Sequence, residues 1–259
     1  MELLPPLFKF VDNNTIRSIV KPFTILVLSS VCFYVACTNI DTARKKNAKP
    51  DAIYFDYKIR GEEKDSNVTT YIRYRIGGPN GTTLALNEPA KVQLDGEIIT
   101  VDSAKLAGAF YDIQKPSKSF PGKHIILFTD FNNKGYKEEF EYKPFKLKTK
   151  IPTVIDRGDL VFDFEGLEAG DYIRVTAVDT SFMSRDIHEI DTPKNGQLLI
   201  PADKLKNLVS GPITLLLSKE TERSVKNGTK GGGRIAISYG MQREFELKNK
   251  TQPPPDLPR

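Results

Sequence analysis

The chain has 259 residues, 39% of them hydrophobic, with 38 basic residues against 33 acidic ones for a formal charge of +5. Acids and bases interleave over most of the length, as in Arg60-Gly61-Glu62-Glu63-Lys64-Asp65, which is the pattern of a solvated surface and excludes a nucleic-acid-binding stripe. Two histidines and two cysteines exclude a three-histidine zinc site and a disulfide framework.

In chain order, the first signal is a leader. Arg17 and Lys21 precede an apolar run from Phe23 to Ala36, and a small residue, Ala36, stands before Cys37. A basic flank, a short hydrophobic core and a small residue before the cut make an export signal. Tyr34-Val35-Ala36-Cys37 resembles the lipobox of bacterial lipoproteins, although Tyr34 stands where Leu, Val or Ile is usual. The resemblance implies cleavage after residue 36, acylation of Cys37 by chains such as palmitate, and a membrane-held product. Two alternatives stay open: an uncleaved anchor over Pro22 to Ile40, close to the roughly 20 residues that span a bilayer, and a plain cleaved signal with a soluble product. Cationic residues on both sides orient an anchor poorly. Cys32 lies inside the leader, so processing leaves a body with no disulfide, held by its hydrophobic core.

Residues 37–50 read as a polar lipidated tether. From residue 51 the chain is written in the strand period: Ile53-Tyr54-Phe55-Asp56-Tyr57, Thr70-Tyr71-Ile72-Arg73-Tyr74, Ile125-Ile126-Leu127-Phe128 and Glu139-Phe140-Glu141-Tyr142 are short, β-branched or aromatic, and bounded by turn residues. At most one helical turn is expected in each half, near Ser103 to Leu106 and Ala202 to Leu208. A lysine-rich stretch between Pro144 and Pro152 marks a boundary, which gives a first domain over 51–147, a second over 151–248, and a proline-rich tail over 249–259.

The two halves echo each other. Phe55 with its neighbours is answered by Phe162, Tyr71-Ile72-Arg73 by Tyr172-Ile173-Arg174, and Gly96-Glu97-Ile98-Ile99 by Gly196-Gln197-Leu198-Leu199. The strand opening at Gly122 is answered by that opening at Gly211, and Glu139-Phe140-Glu141 by Glu244-Phe245-Glu246. The expectation is all-β: two tandem immunoglobulin-like β-sandwich domains, one internal repeat, with Phe55 matching Phe162 and Ile72 matching Ile173.

Little chemistry accompanies this framework. His124 and His188 occupy unmatched positions, with His124 expected at a strand edge, and no HExxH, CxxC or G-x-S-x-G motif occurs. Asp156, Asp159, Asp163 and Glu165 lack calcium-loop spacing, Arg157-Gly158-Asp159 reads as a turn before a strand, and Asn227 to Arg234 reads as a long flexible hairpin loop. No catalytic residue, metal site or cofactor is expected. Asp41-Thr42-Ala43 and Asp102-Ser103-Ala104 resemble the O-glycosylation acceptor of Bacteroidota, which makes Thr42 and Ser103 candidate modification sites.

Leader and domain style together resemble uncharacterised Bacteroidota lipoproteins with tandem immunoglobulin-like domains. The resemblance implies a non-enzymatic cell-envelope protein, held by acyl chains on Cys37 and located at the outer membrane, that binds or scaffolds an envelope protein or glycan. The alternative is a carbohydrate-binding accessory subunit of a glycan-uptake or enzyme complex, with Tyr54, Tyr71, Tyr74, Tyr111 and Tyr136 as a sugar-stacking platform.

Overall fold

Alternation along the chain becomes alternation between core and solvent. In β9 (Gly135–Tyr142), Tyr136, Glu138, Phe140 and Tyr142 point inward while their neighbours face water, the period-2 rule of a sheet packed on one side. The computed structural model describes residues 50–104, 108–180 and 186–248, all within one compact unit, and Cys37 and Thr42, the expected acylation and glycosylation sites, lie outside them. Seventeen strands are found among the described residues.

The first sandwich has two sheets. β1 (Ile53–Glu62), β2 (Asn67–Ile76), β7 (Gly108–Pro116) and β6 (Val101–Ala104) pair in that order, and the two-residue β3 (Thr82–Thr83) hangs on β2. The facing sheet runs β5 (Glu97–Ile99), β4 (Lys91–Leu94), β8 (Gly122–Thr129), β9. In immunoglobulin letters this is A-B-E-D against C′-C-F-G. Phe55, Tyr57, Ile72, Tyr74 and Phe128 fill the space between the sheets, with Tyr74 stacked on Phe128 at 4.5 Å between ring centroids.

The second sandwich has β10 (Lys146–Leu147), β12 (Leu160–Glu165) and β15 (Gln197–Ile200) as A-B-E. Against them lie β14 (Ile187–Asp191), β13 (Ile173–Asp179), β16 (Gly211–Ser224) and β17 (Gly233–Lys248) as C′-C-F-G, and β11 (Val154–Asp156) joins β17 in parallel. Phe162, Phe164, Ile173, Leu215 and Phe245 belong to its core. The chain is therefore all-β, two tandem immunoglobulin-like sandwiches. Helix α1 (Ala202–Leu205) supplies the helical turn expected near 202, whereas Val101–Ala104 is strand, which corrects the turn expected from Ser103.

Strand order also corrects the matches between the halves. Phe55 lies in an A strand and Phe162 in a B strand; Ile72 lies in B and Ile173 in C; Gly96-Glu97-Ile98-Ile99 belongs to C′ and Gly196-Gln197-Leu198-Leu199 to E. Only the final hairpins correspond, β8–β9 with β16–β17. Aromatic-rich alternation makes a strand wherever it occurs, and says nothing of which strand it is. Phe55, Phe162, Ile72 and Ile173 do all face a core.

The two sandwiches are joined by more than their linker. β16 and β17 are 14 and 16 residues long, well beyond the usual five or six. Their near halves belong to the second core through Leu215, Leu217, Met241 and Phe245, and their far halves reach the first, where Ile235 is fully buried and Val225 packs. There β17 pairs in parallel with β1 from Phe55↔Gly233 to Glu62↔Gly240, so that one sheet runs β14-β13-β16-β17-β1-β2-β7-β6 through both sandwiches. Tyr239 sits at the crossing and touches both cores.

Candidate functional site on the outer face of the shared sheet

The hairpin tip shows why this joint is fixed. Gly231 N donates to Asp51 O at 2.9 Å, Phe55 N to Gly232 O at 3.1 Å, and Thr229 Oγ1 to Ile53 O at 2.5 Å. A Cβ on Gly233 would stand 2.7 Å from the Phe55 Cβ, so glycine here permits backbone approach. The other side of the hairpin reaches β9 of the opposite sheet. Glu138 lies at a core position, 1% exposed, and accepts from Arg223 Nη1 at 2.5 Å and from Lys226 N at 2.8 Å. Asn227 Nδ2 donates to Lys137 O at 3.0 Å. The loop expected to be flexible is docked, and Glu138 is a buried acid satisfied by the second sandwich. Its parity with Tyr136 and Phe140 was the available signal.

This pairing creates a continuous outer face. β1 contributes Tyr54, Asp56, Lys58 and Arg60; β2 contributes Tyr71, Arg73 and Arg75; β17 contributes Arg234, Ala236, Ser238 and Gly240; β16 contributes Ser218, Glu220 and Glu222. A groove of about 440 Å³ runs over the small residues of β17, with Lys58 and Arg60 on one wall and Glu220 and Glu222 on the other.

Beside the groove, the guanidinium groups of Arg234 and Arg75 approach one carboxylate, and Arg73 stands across from it in the sheet. Asp56, 4% exposed, accepts from Arg234 Nε at 2.9 Å, a hydrogen bond that favours the charged arginine and raises its pKa. Arg75 Nε stands 3.9 Å from the other oxygen, beyond hydrogen-bond reach, while its Nη1 donates to Gly81 O at 3.1 Å. Arg73, directly across from Asp56, lies over the Tyr71 ring at 4.7 Å, and Tyr71 stacks on Phe110 at 5.1 Å. The Nε atoms of Arg73 and Arg75 are both out of solvent and have no hydrogen-bond partner. A buried donor left in that state costs about 1–3 kcal/mol.

Other residues singled out in the sequence have structural work. Asp159 Oδ1 accepts from Ala202 N at 2.8 Å at the start of α1, and Arg157 Nη2 donates to Leu208 O at 2.7 Å just beyond its end, so the Arg157-Gly158-Asp159 turn brackets the helix. Asp163 accepts from Gln197 Nε2 at 2.7 Å. Among the described residues no group of three or more His, Cys, Asp or Glu side chains is placed to hold a metal ion.

His124 lies in β8, an inner strand rather than an edge, stacked on Phe120 with one ring nitrogen 2.7 Å from Asp95. Tyr74, Tyr111 and Tyr136 are core residues, and burial pushes the Tyr111 hydroxyl up to about 12 and that of Tyr74 well above its ordinary value. The five-tyrosine platform is therefore not formed; Tyr54 and Tyr71 remain half-buried on the outer face. Ser103 lies in β6 opposite Ala109. Among the described residues no helix is long and apolar enough to cross a membrane.

No family model and no curated protein matches the chain. Among solved structures it is similar to the two-domain fragment DIP-gamma IG1+IG2, at 8% identity over 77% of this chain and 96% of that one, with a TM-score of 0.21. It is also similar to the titin I-band fragment I67–I69, at 12% identity over 76% and 66% of the two chains, with a TM-score of 0.25. Dpr11 IG1 bound to DIP-gamma is similar at 10% identity, 77% and 99% coverage, and a TM-score of 0.22. At such values the strand order, not the likeness, carries the fold.

Proposed function

We propose that the chain is a non-enzymatic envelope lipoprotein, held by acyl chains on Cys37, whose two sandwiches act as one rigid module that engages an envelope partner through the outer face of the shared sheet. The observation that carries this reading is the β1·β17 pairing. It makes a surface that neither sandwich has alone, and sets the exposed cations of β1 beside the acids of β16. A flat polar sheet face of this kind suits a protein or charged glycan better than a catalytic step, for which enclosure and a nucleophile are needed. Acyl anchoring follows from the leader, with each buried methylene contributing about 0.8 kcal/mol to membrane retention.

Two measurements test the reading. Cys37→Ser should move the protein from the membrane to the soluble fraction; retention with an intact leader would instead support the uncleaved anchor. Pull-down from solubilised membranes should recover a partner with the native chain and lose it with Lys58→Glu combined with Arg60→Glu. Equal recovery by both would remove the outer face from the account.

A further inference from the structure

The unpartnered arginine donors beside Asp56 are the feature that neither fold stability nor the joint between the sandwiches uses. We infer that Arg73, Arg75 and Arg234 form an oxyanion site, which takes a carboxylate or phosphate group carried by the ligand of the outer face; this rests on the binding-module reading above. Three arginines share two carboxylates, Asp56 and Glu222, the latter 3.5 Å from Arg234 Nη1, so the cluster holds one uncompensated positive charge. Asp112, also on this face and directly across from Tyr71, makes no ion pair with any of the three.

Geometry favours an oxyanion over a further side chain of the fold. The buried Nε–H groups of Arg73 and Arg75 each lack an acceptor, while Asp56 is already committed to Arg234. A carboxylate or a phosphate presents two oxygens on one atom and accepts two donors at once from a guanidinium, which a single carbonyl oxygen does not match. Tyr71 and Phe110, stacked beside Arg73, give the site an apolar flank that lowers competition from water and holds the Arg73 guanidinium over the ring. The groove over β17 begins at Arg234 and gives the rest of an extended ligand a place to lie.

The test is an NMR titration of the purified full chain, read at arginine Nε–H signals, with inorganic phosphate, with glucuronate, and with sodium chloride as the ionic-strength control. Saturable shifts at Arg73, Arg75 and Arg234 are expected with phosphate or glucuronate and not with chloride; the tighter of the two assigns the source as a phosphate ester or an acidic sugar. Arg73→Gln should weaken binding about tenfold, or 1.4 kcal/mol, whereas Asp56→Asn, which removes the competing carboxylate, should tighten it. Lys123→Gln, on β8 of the opposite sheet, should change neither. Linear shifts that follow ionic strength alone, or an Arg73→Gln chain that binds as before with an unchanged melting temperature, would overturn the site. If Arg73→Gln still recovers a partner in the pull-down while anion binding is lost, the module reading stands and the oxyanion is not what the partner presents.

Discussion

The two sandwiches differ in what they own. The second is built from its own strands, and every residue of its core falls between Phe145 and Leu247. The first completes its core with Ile235 and Val225, and satisfies its buried Glu138 through Arg223 and Lys226, all from the hairpin of the second. The stretch from Pro144 to Pro152 divides the sequence without dividing the packing. Two domains of one fold class can thus be unequal partners, one self-sufficient and the other dependent on a borrowed strand.

The sharpest way to expose that inequality is to damage each core in turn. Phe55→Ala and Phe162→Ala each remove a nearly inaccessible ring and should each destabilise the protein by about 3–5 kcal/mol. Urea unfolding should show Phe55→Ala acting on the first sandwich while the second keeps its own transition. Loss of both together from Phe55→Ala would make the dependence mutual.

A smaller effect is expected at the contact itself. Gly233→Ala places a Cβ against Phe55 and should cost about 1–3 kcal/mol through overpacking, with the loss confined to the first sandwich. Gly233 is absent from the positive-φ glycines, so the cost would measure contact between hairpin and β1 rather than backbone strain. A destabilisation shared equally by the two sandwiches would place the effect elsewhere.

These substitutions also mark where the sequence could be read and where it could not. The strands of β1, β2, β9, β12 and β13 were legible because apolar and polar residues alternate within a few positions, and alternation is a local property. Strand identity was not, since Phe55 and Phe162 carry the same local pattern in A and B strands. The β1·β17 pairing joins residues 178 apart, Asp56 with Arg234, and nothing local announces it. Gly231 and Gly233 looked like loop flexibility, although both serve close packing against β1. The arginine cluster was invisible for the same reason: Arg73, Arg75 and Arg234 each alternate with core residues as solvated charges do, and only the sheet sets them side by side around the position of Asp56.

The weakest expected effect depends on pH. Arg243, on the second-sandwich half of β17, hydrogen-bonds Glu63, which follows β1, at 2.5 and 3.0 Å. That hydrogen bond holds the Glu63 carboxyl below its ordinary value, against an opposing effect of burial. A lowered folded-state value means that the contribution is present above the unfolded value of about 4.3 and is lost as pH falls through the folded one. Because the pair is largely solvated, the gain should be about 1 kcal/mol or less. Urea midpoints of the native chain and Glu63→Gln should differ slightly at neutral pH and converge in acid; a gap that widens on acidification would reverse the sign.

Native-state hydrogen exchange on the full chain tests most directly whether the hairpin of the second sandwich is an integral strand of the first. Protection of amides in β1 and in the 233–240 half of β17 should rise and fall together, with the same opening free energy, and Gly233→Ala should lower both by the same amount. Fast exchange at 233–240 beside fully protected β1 amides would contradict the account, because the first sandwich would then hold its fold without the borrowed strand.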